Sequence, residues 1–398
     1  MSSTDQVLKS ADRSRTRFPA ASLRRTLTND QQHISSLGPR NPCSVAGQEE
    51  TQPVTETTVE ISAKGEWIRV PALNANGTML IATGKLPRIA SVLDEEWLEQ
   101  ELQDPEACVR LLKKSARHIS GADILTFAQK LPATKPKYSY LLEWDSIAAI
   151  HITSFQEWWD RLPQVTRKNV RRSQKRGVEV QVRELDDDLI RDIVELTNDS
   201  PVRQGKHFVH YGKTFEQTKK DQSTHLGRSD FLCAYSGREL VGLLKVVYGG
   251  ERASILQFIP KASQQDKRPA NALIAKAVEI CEAKRISCLI YGLFSYGKKK
   301  QSSLVEFKVR NGFEEILVPR FYVPLTMRGS FCLKLNLHGG LIGLLPDSAI
   351  RMALNVRTRW YTFKGFLSRC SSVTEQPNRI RQTDGSIPPA GSNEVSEA

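Results

Sequence analysis

This 398-residue chain lacks closely spaced cysteine pairs, long apolar runs and a signal sequence. Its seven cysteines are irregularly spaced and include no Cys-x-x-Cys pair, which argues against a disulfide framework and a zinc ribbon. No apolar run is long enough to span a bilayer, and the N-terminal Arg and Ser residues are not followed by the apolar core of a signal peptide. We therefore predict a cytoplasmic protein without a membrane span, whose thiols are reduced and mostly buried.

Apolar residues are scarce at both ends of the chain. Counting Ala, Val, Ile, Leu, Met, Phe, Trp, Tyr and Cys, residues 1–60 contain 16 of them and the last 28 residues contain 6. Segments this polar cannot bury enough surface to offset the entropy lost on ordering, so we predict disordered tails at 1–60 and 371–398. Between them we predict a first half at 61–152, a second half at 153–330 and a C-terminal helical extension at 331–370.

Negative charge is in deficit. The chain has 57 Lys and Arg residues against 44 Asp and Glu residues, which gives a net charge of +13. Such an excess predicts an anionic partner, and it leaves open a nucleic acid, a phosphorylated cofactor or a membrane surface.

The hydrophobic pattern predicts alternating strands and helices. In the first half, WIRVPAL, TMLIATG and PRIASVL are typical of short strands. In the second half, a Trp-rich helix and a basic helix precede the strand VEVQV, a further helix, a polar loop and a hairpin. The strand ASILQFI, a helix from Pro269 to Arg285 and the strand CLIYGLF follow, and this strand, helix, strand unit predicts two parallel strands.

The loop before the helix at Pro269 has the features of an anion site. Two cations stand next to a helix that begins with Pro, so the backbone N–H groups and the helix dipole both favour negative charge there. The candidate donor-binding residues are Lys261, Gln265, Lys267, Arg268 and Asn271. A solvated loop with an ordinary helix start is the alternative.

Lys308 is the second candidate. At 100° per residue it falls between Leu304 and Val305, in the middle of the apolar face of its helix. A lysine directed at the core must pair, line a cleft or extend its ammonium to solvent. In the last case, replacement by Met would cost no stability.

The loop at 201–213 is dense in polar side chains that suit proton transfer and anion binding. It carries Arg203, His207, His210 and Tyr211. The two histidines have no Cys, Asp or Glu beside them in the sequence, so we predict no metal site. A solvated polar loop is the alternative.

The basic helix at 167–176 carries two adjacent rows of Arg and Lys, with Arg172 in the second row, and no acid lies between Asp160 and Glu179. Either this face is solvated or it binds phosphate groups. The helix has no aromatic residue on which a nucleic-acid base could stack.

The order of elements in the second half resembles the GNAT acyltransferase fold. The segment from Thr166 to Val180 after the Trp-rich helix, and the segment from Leu304 to Phe313, resemble the FemAB-like branch, whose members carry two GNAT-like halves. The resemblance implies an α/β fold (α+β layered) with tandem GNAT-like mixed sheets flanked by helices. Its second half would be the better-formed acyltransferase domain.

The resemblance also implies a reaction: direct transfer of an acyl or aminoacyl group to an amine or hydroxyl acceptor, such as a cell-envelope or polysaccharide precursor. The donor would be acyl-CoA or another acyl donor, bound where two parallel strands splay apart. The loop at 261–271 lacks the glycines of a usual GNAT pyrophosphate loop, which disfavours ordinary coenzyme A binding. An aminoacyl-tRNA donor is an alternative that is not favoured, because the stretch from Thr214 to Ser229 is too short for the helical hairpin of the tRNA-dependent enzymes.

Each candidate residue takes a role in that reaction. Lys308 would stabilise the oxyanion or a donor phosphate, His210 or Tyr211 would take the acceptor proton, and Arg203 and Arg172 would hold the anionic acceptor. The rival interpretation is a non-catalytic GNAT scaffold that binds nucleic acid or anionic lipid through its basic helix, with peripheral membrane attachment.

We predict that deleting residues 1–55 and 372–398 leaves a folded, active core, because neither segment has the apolar content to pack. Thermal unfolding of the truncated and full-length chains checks this prediction. A large drop in melting temperature on truncation would contradict it.

Overall fold

The structure is a computed structural model, and it describes residues 56–75, 77–114, 121–203, 206–295 and 302–339. The predicted tail at 371–398 and most of the predicted extension at 331–370 lie outside the described residues. So does most of the predicted tail at 1–60, although a strand begins at Glu56.

The described residues contain fourteen strands and eight α-helices. The strands are β1 Glu56–Ala63, β2 Glu66–Ala75, β3 Thr78–Thr83, β4 Ile89–Val92, β5 Ile124–Ala128, β6 Leu141–His151, β7 Val178–Arg183, β8 Val202–Arg203, β9 Lys206–His207, β10 Ser229–Ser236, β11 Glu239–Gly249, β12 Arg252–Pro260, β13 Cys288–Leu293 and β14 Glu314–Pro324. The helices are α1 Pro105–Lys114, α2 Phe155–Arg161, α3 Gln164–Lys175, α4 Asp187–Thr197, α5 Phe215–Gln222, α6 Pro269–Ala283, α7 Ser303–Arg310 and α8 Met327–Lys334.

Twelve of the strands form one continuous mixed sheet, in the order β1-β2-β3-β4-β5-β14-β6-β13-β12-β11-β10-β7. Helices pack on it, so the predicted α/β class, with a mixed sheet flanked by helices, is confirmed. The two halves do not keep separate sheets. The boundary at 152/153 stays a prediction, because the hydrogen bonds of the sheet run across it without interruption.

Each half gives its last strand to the other. Strand β6 follows β5 in the chain but lies between β13 and β14, and β14 follows β13 in the chain but lies between β5 and β6. The two exchanged strands pair antiparallel from Glu314↔Ala149 to Tyr322↔Leu141. Neither half can therefore complete its sheet alone.

Alternating side chains on the second-half strands build one core on each face of the sheet. Leu232 and Leu244 pack on one face with α2, α3 and α6, and Cys233 and Leu243 pack on the other with α4. This is the two-residue period of a strand buried on both faces. The predicted basic helix, α3, thus lies on the same face as α6.

The predicted strand, helix, strand unit is confirmed, because β12 and β13 are parallel and α6 connects them. Their pairing covers only Arg252–Ser254 against Cys288–Ile290. Beyond it the register of β12 against β11 shifts at Leu256, and β12 continues to Pro260. Within the described part of the chain, the edge of β12 that faces β13 therefore has no strand partner from Ile255 onward, which is the predicted splay.

The first half also has a parallel pair, β4 and β5, but the chain closes it. A short 3-10 helix at Glu95–Trp97 crosses the end of β5, where the Ala128 N–H donates to the Glu95 carboxylate at 2.7 Å. Lys130 donates to the carbonyl oxygens of Glu95 and Leu98 in the same place. Only the second-half pair is open among the described residues.

The two segments that carry the family resemblance meet in a buried joint. The Trp158 indole donates to the carbonyl oxygen of Asn311 at 3.2 Å, and the Thr166 hydroxyl donates to that of Arg310 at 2.8 Å. Gly312 has φ +84°, and a Cβ there would lie 2.8 Å from the indole nitrogen. This joint fixes the C-terminal end of α7 against α2 and α3.

We expect Gly312→Ala to lower the free energy of unfolding by roughly 2 to 4 kcal/mol, because it adds left-handed backbone strain to a steric clash. Gly177→Ala is the matched control. Gly177 has φ +72° with open space around it, so that variant should lose only about 1 kcal/mol. Urea denaturation measures both values, and equal losses would show that the contact with Trp158 contributes nothing.

Candidate active site

The candidate site is the opening between β12 and β13. Lys308 reaches it from α7, and the loop that follows β9 approaches β12 with His210. The opening exists because the chain bulges at Leu256 and the two strands then diverge.

Lys308 is fully buried, in the middle of the buried face of α7, as its predicted position on the helix requires. Its ammonium donates to the carbonyl oxygens of Tyr291 at 2.9 Å and Leu293 at 2.5 Å. Both carbonyls belong to the stretch of β13 beyond its last pairing with β12. The lysine does not extend to solvent, so the alternative in which its ammonium is solvated is wrong, while the effect of Lys308→Met on stability stays a prediction.

Burial lowers the pKa of Lys308 to about 8. The ammonium lies 4.5 Å from the centroid of the Tyr291 ring, whose π face also favours a cation. A lysine with this pKa is mostly protonated at neutral pH and gives up its proton more readily than a surface lysine. It can act as a hydrogen-bond donor or as an acid.

His210 lies beside the open stretch of β12. Its Nε2 is 3.4 Å from the side-chain amide nitrogen of Gln257, which stands one residue after the bulge at Leu256. Its Nδ1 is 3.7 Å from the Asp221 carboxylate, and its ring packs edge-on against Phe208. Both ring nitrogens are therefore directed at polar groups.

Asp221 is the centre of a buried cluster that joins the two halves. The ammonium of Lys213 donates to its Oδ2 at 2.6 Å and the Trp67 indole donates to its Oδ1 at 2.8 Å. Lys213 also donates to the carbonyl oxygen of Gly65 at 2.6 Å. Burial by itself would raise the pKa of Asp221, but its interactions with His210, Lys213 and Trp67 outweigh that effect and lower the pKa to about 2.

Tyr211 and His207 point elsewhere. Both side chains are exposed, and no described residue forms a hydrogen bond with the Tyr211 hydroxyl. Of the two residues predicted to take a proton, the structure brings His210 to the opening.

Arg203 lies at the end of β12. Its Nη1 donates to the carbonyl oxygen of Pro260 at 2.9 Å, and its guanidinium lies 4.2 Å from the centroid of the Phe208 ring. Nε and Nη2 are buried and form no hydrogen bond within the described part of the chain. Burial lowers the pKa of Arg203, and an anion at those two nitrogens would offset that cost.

Two of the residues predicted to bind the donor have internal partners instead. The ammonium of Lys261 lies 2.6 Å from the Glu239 carboxylate. The buried Asn271 amide donates to the Asn311 side-chain oxygen at 2.9 Å, which ties α6 to the end of α7. These contacts give both side chains structural roles.

The remaining predicted donor-binding residues stay at the surface of the loop. Lys267 is half-buried and donates to the Ser236 hydroxyl at 2.9 Å, while Gln265 and Arg268 are exposed. Arg176 of the basic helix forms a hydrogen-bonded ion pair with Asp266, so the C-terminal end of that helix borders this loop. Arg172, one turn earlier, is exposed. Phosphate binding by these residues stays a prediction.

Sequence reasoning missed Asp221, Gln257 and Lys245. The Lys245 ammonium is buried and donates to the carbonyl oxygens of Gln222 and Thr224, each at 2.7 Å, which anchors the end of α5. The available signal was a polar residue inside an apolar strand, since Lys245 interrupts LVGLLKVVY and Gln257 interrupts ASILQFI. Asp221 gave no such signal, because it lies in a helix whose neighbours are also polar.

The described ranges of the chain lack two further features. They contain no helix with the length and apolar character of a membrane span. They also contain no group of three or more His, Cys, Asp or Glu side chains placed to hold a metal ion.

No family model matches this sequence, and no curated protein matches it either. Solved structures do resemble it. FemX is 11% identical with a TM-score of 0.44, and the match covers 71% of this chain and 90% of FemX. L-PGS from Bacillus licheniformis is 12% identical with a TM-score of 0.43, covering 67% of this chain and 86% of that one.

A tandem GNAT protein from the clavulanic acid biosynthesis pathway is 10% identical with a TM-score of 0.38, covering 65% of this chain and 83% of that one. The likeness to these structures is one of fold alone. The mixed sheet flanked by helices, which the sequence's resemblance to GNAT-like, FemAB-type proteins predicts, is confirmed. The chemistry has to come from the residues of this chain.

Asp221 should contribute to stability in a pH-dependent way. Its pKa is lowered from an ordinary 3.8 to about 2, so its contribution is complete above pH 4 and is lost as the pH falls towards 2. We expect Asp221→Asn to lower the free energy of unfolding by roughly 2 kcal/mol at pH 7 and by about half as much at about pH 3. Urea denaturation across this pH range measures the difference, and a constant difference would contradict the assignment.

Proposed function

We propose that this protein transfers an acyl or aminoacyl group directly to an amine or hydroxyl acceptor. The observation that carries the proposal is the opening between β12 and β13, with the buried Lys308 at one strand and His210 beside the other. Strand edges without a partner supply backbone N–H groups that can stabilise an oxyanion, and charged side chains next to them strengthen that effect.

In this mechanism the donor carbonyl enters the opening and the acceptor approaches from the side of His210. The acceptor nitrogen or oxygen forms a bond to the acyl carbon while His210 takes its proton. The bond from the acyl carbon to the leaving sulfur or oxygen then breaks. Lys308 stabilises the negative charge that develops, and an ammonium with a pKa of about 8 can also protonate the leaving group.

Positively charged side chains near the opening favour an anionic acceptor and an anionic donor. Arg203 has two buried N–H donors without a hydrogen-bond partner among the described residues, which favours an acceptor that carries a carboxylate or phosphate. A cell-envelope or polysaccharide precursor has that chemistry. Lys267 and Arg268 lie on the surface bordered by the basic helix, where they would bind donor phosphates, and Arg172 on that helix would hold the anionic acceptor together with Arg203.

The donor is acyl-CoA or another activated acyl compound. Between Thr214 and Ser229 the chain forms only α5, of eight residues, and a short 3-10 turn at Leu226–Arg228. This stretch contains no helical hairpin, so we continue to disfavour aminoacyl-tRNA. Transfer assays with acyl-CoA and aminoacyl-tRNA donors decide between them.

The second candidate function, a non-catalytic binder, is favoured by the basic helix. Lys168, Arg171, Arg172 and Lys175 are exposed on it. A dedicated nucleic-acid binder loses affinity steeply as salt rises, because each phosphate contact releases a counterion. A steep salt dependence together with no transfer from any donor would favour this second function.

The variant Lys308→Met tests the proposed catalytic role of Lys308. We expect turnover to fall about 100-fold or more, the effect of removing one oxyanion donor. We also expect the free energy of unfolding to fall by about 1 to 3 kcal/mol, because the carbonyls of Tyr291 and Leu293 lose their shared donor. Steady-state kinetics and urea denaturation measure the two effects.

Lys276→Met is the matched control. Lys276 lies on α6, pairs with Glu279 and does not reach the opening. It should keep both turnover and stability. A folded Lys308→Met protein with unchanged turnover would end the catalytic assignment of Lys308.

A further inference from the structure

His210 has two ring nitrogens, and only one of them carries a proton when the ring is neutral. A histidine that takes a proton from the acceptor must present an unprotonated nitrogen to the opening. The side chains around His210 determine which nitrogen that is.

A chain of side-chain hydrogen bonds begins at Gln222. Its amide nitrogen donates to Oε1 of Gln257 at 2.7 Å, which orients the Gln257 amide. The NH₂ group of Gln257 is then directed at Nε2 of His210, 3.4 Å away. In this orientation of the two amides, which leaves Oε1 of Gln222 without a hydrogen-bond partner among the described residues, the NH₂ group of Gln257 donates, so Nε2 accepts and carries no proton.

The other side of the ring gives the same answer. Nδ1 lies 3.7 Å from the Asp221 carboxylate, which accepts and cannot donate while it is ionised. Lys213 and Trp67 hold that carboxylate in place, and its low pKa keeps it ionised throughout the neutral range. A proton on Nδ1 is therefore favoured from both sides.

We propose that Asp221 and Gln257 are positioning residues that hold His210 with its proton on Nδ1 and an unprotonated Nε2 beside the open stretch of β12, where the acceptor takes the place of the Gln257 amide. This inference rests on the proposed function, in which His210 takes the acceptor proton. It also gives the first half a part in the reaction, because Trp67 and the carbonyl of Gly65 hold the Asp221–Lys213 pair.

Nitrogen NMR of the full chain with ¹⁵N-labelled histidine tests the proposal without any substrate. The chain has seven histidines, and the spectrum of His210→Gln identifies the signals of His210. At about pH 8, where an ordinary histidine with a pKa of about 6.5 is neutral, we expect a protonated Nδ1 and a bare Nε2. A proton on Nε2 in the native protein would overturn the inference whatever the activity.

Variants separate positioning from folding. Asp221→Asn should shift His210 towards a mixture of tautomers and lower kcat at least about tenfold, with the KM for the donor unchanged. Glu216→Gln removes an exposed carboxylate from the same helix and should change neither. An unaltered tautomer in Asp221→Asn would remove Asp221 from the proposal.

Lys213→Met covers the case in which Asp221→Asn fails to fold. It keeps the carboxylate and its hydrogen bond from Trp67 but removes the one from Lys213, so the proton should stay on Nδ1, and its loss from Nδ1 would contradict the assignment of the tautomer to Asp221 and Gln257. If the native tautomer is the expected one and no donor supports transfer, the positioning of His210 stands while the proposed function fails. The two ideas therefore fail in distinguishable ways.

Discussion

The antiparallel pairing of β6 with β14 is the constraint on which the rest of the structure depends. It joins the two halves into one sheet, since each of these strands lies in the part of the sheet built by the other half. It also places β6 against one edge of β13. Among the described strands of the second half, β12 and β13 have unpaired edges where they diverge, and the candidate site lies there.

Charges in the interior are tolerated because each has several fixed partners. Lys308 and Lys245 donate to backbone carbonyls, and Asp221 accepts from Lys213 and Trp67. An unpaired charge at such depth would cost several kcal/mol, so these contacts restrict each side chain to one position. The same contacts that make burial tolerable also orient the groups that the proposed reaction uses.

The two halves differ in their parallel strand pairs. Both contain a parallel strand pair, but Glu95 and Lys130 cover the pair in the first half, while the pair in the second half stays open. The first half instead supplies Trp67 to the cluster around Asp221. Among the described residues, the second half therefore holds the open strand pair, and the first half contributes a side chain to the contacts beside it.

Local periodicity in the sequence determined the strands and helices, and it determined that the Lys308 side chain is buried. The parallel pair around α6 follows from an apolar strand, helix, strand order, and Lys308 falls on the buried face of α7 because 3.6 residues make a turn. Only the tertiary structure decided the exchange of β6 and β14, the internal partners of Lys261 and Asn271, and the contacts of His210 with Asp221 and Gln257. The contacts of His210 join residues on separate elements, and His210 and Gln257 are 47 positions apart in the chain. Spacing along the chain carries no information about them, because they arise only after the sheet and its loops have packed.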